Sequence, residues 1–164
     1  MTKLLLKCLP IFFFQETINI DEPFLLRICA LHRVPPEWDH DEYKVSLQIY
    51  HGTRPIVEPL QTEHRSLLKE ESGMGNDRVV FDQYLETEES NVKIISLPRE
   101  ARIVLTLSSK SIVTEEKQRK VVFSELGWAA LQLFDFERLL VQGTFLLNLW
   151  PPEAEKQVGP APGL

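Results

Sequence analysis

Residues 44–50 alternate between two faces. Val45, Leu47 and Ile49 point one way, and Lys44, Ser46, Gln48 and Tyr50 point the other. A strand with one buried face and one wet face produces that period of two. Phe24–Val34 reads as a longer strand, with Phe24, Leu26, Ile28 and Ala30 on one side and Arg27 and Arg33 on the exposed side. Arg78–Leu85, Ala101–Ser108, Val121–Ala130 and Thr144–Trp150 complete the main set. Arg54–Gln61 reads as an edge strand, because Pro55 and Pro59 cannot donate to a ladder. Asn91–Ile95 reads as another short strand, and Thr62–Glu71 as the one locally helical stretch. Turn residues stand between the runs at Pro35-Pro36, His51-Gly52, residues 73–77, Pro98 and Gly143. Many strands at turn-bounded spacing give an all-β sandwich or barrel.

The boundaries follow from breaks in this pattern. In the opening segment Lys7 and Pro10 interrupt the apolar residues, and no small-residue cleavage site follows, which argues against a signal peptide or a membrane span. Residues 1–22 are expected to be a helical or irregular extension or linker, residues 23–152 the sandwich, and residues 153–164 a flexible linker. Apolar residues make up 43% of the chain, enough for a core. The net charge of −6 argues against a generic nucleic-acid binder and gives no overall attraction to anionic membranes, although a local basic segment can still supply one. Cys8 and Cys29 have no metal-binding spacing, so free thiols in a reducing compartment are expected, with Cys29 in the core.

Catalytic motifs are missing. There is no G-x-x-x-x-G-K-[ST] loop to cradle phosphates, no H-R-D or D-F-G kinase signature and no serine elbow. Gly73-Met74-Gly75 lacks the third glycine of a dinucleotide fingerprint and reads as a turn. His32, His40, His51 and His64 lack the i, i+4 spacing of a helical zinc site and read as surface or loop residues. No catalytic residue, cofactor or metal is expected.

The C-terminal third carries the most specific wording. Leu126-Gly127-Trp128 is followed by Leu133-Phe134-Asp135-Phe136, then Leu140, Gly143 and Leu147-Asn148-Leu149-Trp150-Pro151-Pro152. Upstream, Ile95-Ser96-Leu97-Pro98-Arg99-Glu100-Ala101-Arg102 leads into Ile103-Val104-Leu105-Thr106-Leu107. Together these segments resemble the C2 domain of phosphoinositide 3-kinases, and the last stretch is most similar to class II enzymes. The resemblance covers roughly residues 24–152 and leaves residues 1–22 outside. It implies an eight-stranded antiparallel C2-like sandwich, set in its parent between a Ras-binding-like domain and a helical domain that precedes the lipid kinase. Trp128 and Trp150 are expected in the core, Phe134 is expected to be structural, and Gly143 is expected to permit a hairpin before the last strand.

Calcium-dependent C2 domains gather aspartates on two loops. The first such loop here is expected at Pro35–Glu42, with Asp39, Asp41 and Glu42; the second, at Ser109–Lys120, offers Glu115 and Glu116 but no aspartate. Calcium requires six to eight oxygens, so calcium-independence is expected. The second loop also holds Lys110, Lys117, Arg119 and Lys120, with Ile112 and Val113 able to dip into a lipid interface. The resulting expectation is a non-catalytic scaffold of a lipid kinase with weak phospholipid contact. Its partners would be the adjoining helical and kinase domains and an anionic membrane, and its location cytoplasmic and peripheral at membranes. The alternative is a free-standing protein-interaction adaptor with no lipid role.

Overall fold

The computed structural model describes residues 2–8, 21–71, 77–87 and 92–154. The expected Gly73-Met74-Gly75 turn, most of the N-terminal extension and the tail from residue 155 lie outside them. Among the described residues there are nine strand segments and no α-helix: β1 (Lys3–Cys8), β2 (Leu25–His32), β3 (Glu42–His51), β4 (Arg54–Pro55), β5 (Leu60–Gln61), β6 (Arg78–Glu86), β7 (Arg102–Glu115), β8 (Gln118–Gln132) and β9 (Gly143–Asn148). They form two antiparallel sheets, one in the order β6-β2-β1-β9 and one in the order β4-β3-β7-β8 with β5 also on β3. The all-β antiparallel sandwich expected from the sequence is present.

Alternation sets the core. Leu26 and Ile28 of one sheet face Val45, Leu47, Ile49, Ile103, Leu105 and Leu107 of the other, and all are essentially inaccessible to solvent. Bulges adjust the phase at two places. One, between Ile28 and Ala30 in the β2–β6 pair, lets Ala30 and Leu31 both turn inward. The other sets Ser108 opposite Glu125 and gives β8 the extra residue Leu126. Cys29 lies at the first bulge and is half-buried, not in the core as expected.

Several expectations need correction. Residues 3–8 are not a helical or irregular extension. They form β1, an interior strand of the first sheet, paired with β2 on one side and β9 on the other. Thr62–Glu71 is extended, not helical, because its backbone groups are used by both sheets. Arg65 exchanges two 2.8 Å hydrogen bonds with Tyr43 of β3, and Leu68 exchanges 2.8 and 3.1 Å bonds with Arg78 of β6. The segment therefore crosses from one sheet edge to the other. The expected edge strand over 54–61 is split into β4 and β5; with β1 gained and the strand at 91–95 lost, the expected eight strands become nine segments. In place of the short strand at 91–95, Ile94–Ser96 is a single 3-10 turn.

The C-terminal motif also differs from its expected packing. Trp128 is 4% exposed, but Trp150 is 51% exposed and lies over it instead of entering the core. Gly143 does have a positive φ of 107°, yet it opens no hairpin, because β8 and β9 belong to different sheets. Phe134 is buried beneath the Arg99 guanidinium, 4.6 Å from its ring centre. Between β8 and β9, Asp135 Oδ1 accepts hydrogen bonds from the amides of Glu137 and Leu139, both 2.9 Å. That tight turn leaves Phe136 and Leu139 in solvent.

Candidate functional site

The residues expected to form a lipid-contacting loop form a projecting two-stranded arm. β3 begins where Glu42 pairs with Lys110, and beyond that point β8 is the only ladder partner of β7 among the described residues. The pairing continues to Glu115 opposite Gln118, so the arm extends five more residues, about 17 Å at ~3.3 Å per residue. Its tip is a two-residue turn, Glu116-Lys117, with φ values of 46° and 66°. Positive φ at both central residues matches the twist of the flanking strands. Valine, isoleucine and threonine account for Ile112, Val113, Thr114, Val121 and Val122, residue types that favour extended backbone.

Cross-strand partners share a face. One face of the arm carries Ile112 opposite Val121, Thr114 opposite Arg119, and Phe123 at its base opposite Lys110. The other carries Val113 opposite Lys120 and Ser111 opposite Val122. Phe123 is 64% exposed, and Ile112, Val113, Val121 and Val122 are exposed as well. An isolated hairpin in water is marginally stable, so this much uncovered apolar side chain is unusual for an unsupported arm. Lys117, Arg119 and Lys120 lie at or beside the tip. Lys110 departs from that cluster: its ammonium donates a 2.9 Å hydrogen bond to Glu42 Oε2 and is neutralised there.

Two of the carboxylates expected at the first apical loop, Asp41 and Glu42, are engaged in fixing the arm. Asp41 Oδ2 accepts a 2.6 Å hydrogen bond from the amide of Ile112, and the Asp41 amide donates to Lys110 O. Asp39 is exposed. Glu115, three residues beyond Ile112, stands about 10 Å farther along the arm and Glu116 farther still, beyond the 2.3–2.6 Å reach of shared calcium ligands. Among the described residues, no group of three or more His, Cys, Asp or Glu side chains is placed to hold a metal ion.

His64 flanks the base of the arm, with its ring 6.4 Å from that of Phe123. Sequence reasoning assigned it no role, because only the crossing of Thr62–Glu71 brings it there. Burial lowers its pKa, and Lys44 lowers it further; Glu42 opposes them, and Lys110 adds a smaller lowering. The Glu42 carboxyl is held below its ordinary value chiefly by the hydrogen bond from Lys110. Both groups have depressed folded-state values, so each stabilises the fold less as pH falls. The His64 contribution is complete above its ordinary value of 6.5 and is lost as pH drops through the lowered one; that of Glu42 is complete above 4.5 and is lost below it. Thermal melts should therefore show His64→Gln gaining on the parent as pH falls from 7 toward 5. Glu42→Gln should be the weaker protein at pH 6 and converge on the parent at pH 3. A constant offset for both variants across that range would contradict this assignment.

Comparison with known proteins agrees with this architecture. The profile of the phosphoinositide 3-kinase C2 family matches residues 39–161. The human phosphatidylinositol 4-phosphate 3-kinase C2 domain-containing subunit beta is 28% identical over 148 residues, covering 86% of this chain and 9% of that protein. The subunit alpha of Pongo abelii is 28% identical over 146 residues, covering 83% of this chain and 8% of that protein. Phosphatidylinositol 3-kinase 1 of Dictyostelium discoideum is 24% identical over 160 residues, covering 86% and 10%. The chain thus spans about a tenth of the length of these relatives. With its two antiparallel sheets and a family match over three quarters of its length, this chain belongs to the phosphoinositide 3-kinase C2 domain family.

Proposed function

We propose that this chain is a non-catalytic, calcium-independent C2 module of the class II type, which scaffolds a lipid kinase and contacts anionic membrane through the β7–β8 arm. The projecting arm carries this reading. It combines exposed Ile112, Val113, Val121 and Val122 with Lys117, Arg119 and Lys120 near one tip. Apolar burial supplies about 25 cal/mol per Å² in the interface, and each cation about 1 kcal/mol against an anionic leaflet. Glu115 and Glu116 offset part of the charge term, so the contact is weak and salt-sensitive. The exposed Phe136 and Leu139 lie near the Arg102–Gln132 end of the β7–β8 ladder, opposite the tip, and offer an apolar contact for an adjoining domain. A module held at one end and wetted by lipid at the other would position a kinase without performing chemistry.

Vesicle co-sedimentation tests the arm. Changing Lys117, Arg119 and Lys120 together to Glu is expected to weaken binding to phosphatidylserine-containing vesicles by about a hundredfold or more, since three terms of about 1 kcal/mol are lost. Lys110→Gln should leave binding nearly unchanged, because Lys110 is already paired with Glu42. Equal binding by the triple variant would remove the arm from the membrane contact.

Calcium should not stabilise the domain. A ligand present at about 100 times its dissociation constant, and bound only to the folded state, adds about 2.7 kcal/mol, a shift of several degrees in a melt. Scans with low-millimolar calcium and with chelator are expected to superimpose. A calcium-specific rise of that size, abolished by changing Asp39 and Asp41 to Asn, would refute calcium-independence.

A further inference from the structure

The outer face of the first sheet holds a row of basic side chains that the arm does not use. Leu4, Leu31 and Val79 are buried and stand opposite one another across β1, β2 and β6. Side chains alternate along each strand, so the next row, Lys3, His32 and Arg78, is turned outward. Asn148 of β9 pairs with Lys3 and extends the row across all four strands. Neighbouring strands lie about 4.8 Å apart, so Lys3 and Arg78 flank His32 within roughly 10 Å.

Lys3 and Arg78 are each paired across the strands with His32, so the two cations stand on one face with an imidazole between them. None of Lys3, His32, Arg33 or Arg78 has an ion pair among the described residues. These four side chains line one cleft of about 470 Å³, together with the exposed Leu146 and a single carboxylate, Glu70. The volume falls within the about 300–1,000 Å³ common for small-ligand sites. On a chain whose net charge is −6, such a concentration of positive charge over an apolar floor is a local reversal of the protein's field.

We infer that this cleft is an anion site for a compact phosphate-bearing ligand, which bridges Lys3 and Arg78 across His32 and relieves their mutual repulsion. Arginine and lysine donors match phosphate oxygens, with the arginine fork able to bind two at once. Glu70 limits how much negative charge the cleft accepts. The ligand is a free polyphosphate or the phosphorylated headgroup of a lipid, and the two are separated by the test below. The site lies on the opposite sheet from the arm, so its existence does not depend on the arm's role at a membrane.

The full chain should be titrated with inorganic pyrophosphate at low salt, by calorimetry, and with phosphatidylcholine vesicles with and without phosphatidylinositol 4-phosphate. Arg78→Gln and Lys3→Gln should each weaken binding about tenfold, the loss of one charged hydrogen-bonding partner. Glu70→Gln should tighten binding, a gain that misfolding cannot mimic. The Lys117, Arg119 and Lys120 triple variant should retain pyrophosphate binding. Pyrophosphate binding with this variant pattern identifies a free anion as a sufficient ligand. Binding confined to phosphoinositide vesicles, with the same pattern, identifies the headgroup. Failure to bind either probe, or binding indifferent to both Arg78→Gln and Glu70→Gln, would overturn the site.

Discussion

Leu4→Asp, and separately a chain begun at Asp21, are expected to lose the cooperative fold. β1 is flanked on both sides, so its removal takes two ladders from the first sheet and leaves β9 without its sheet partner. Leu4 is 1% exposed and faces buried Leu31 across the ladder. Truncation to Ala should cost about 2–5 kcal/mol, against a total of about 5–15 for a domain. Aspartate adds the desolvation of an unpaired charge and exceeds that margin. Urea unfolding of Leu4→Ala gives the moderate case, and chemical-shift dispersion of the other two gives the severe one. A shortened chain that still melted cooperatively would show that β1 is dispensable.

The second large effect is at Trp128. Trp128→Ala should destabilise by about 3–5 kcal/mol, while Trp150→Ala should cost about half as much or less. The ring of Trp128 is buried, and its Nε1–H donates to Ala154 O at 3.1 Å. Its backbone exchanges hydrogen bonds of 3.0 and 2.8 Å with Trp150. Trp150 supplies the cover, with its ring centre 6.4 Å away and half its surface in water. Gly127 permits this approach, since a Cβ there would meet Trp150 O at 2.7 Å. Equal losses in denaturant melts of the two tryptophan variants would mean that the inner and outer assignments are wrong.

The sandwich was legible wherever a strand had one dry face. Lys44–Tyr50 announces itself by alternation because one of its faces is drier than the other, whereas Ala101–Ser108 is dry on both faces over its first half and alternates only in residue type. β1 was illegible because Leu4-Leu5-Leu6 is a continuous apolar run, and periodicity cannot tell an interior strand from part of a helix. Thr62–Glu71 misled because its partners lie on two different sheets, information that no local window contains. The arm was read as a loop because Glu116-Lys117 lacks the Asn-Gly or Asp-Gly signature of such turns. Its charged residues were nevertheless found, since they cluster in sequence. The basic row was invisible for the opposite reason. Lys3, His32 and Arg78 come from three distant segments, and only strand register makes them neighbours.

The pairing of β1 with β9 has a further consequence, for the birth of the protein. β1 must wait for β9 before their sheet can close, and Lys3 meets Asn148 only when almost the whole domain has emerged. The β7–β8 hairpin, by contrast, joins strands separated by a two-residue turn and can form as soon as both are made. During synthesis β1, even once paired with β2, therefore presents the apolar segment Leu4 to Leu6 with its β9-facing edge open to any passing β-strand. Slow closure between remote segments makes such intermediates prone to aggregation, so this domain's yield on refolding should fall with protein concentration more steeply than that of a sandwich whose first strand pairs only locally.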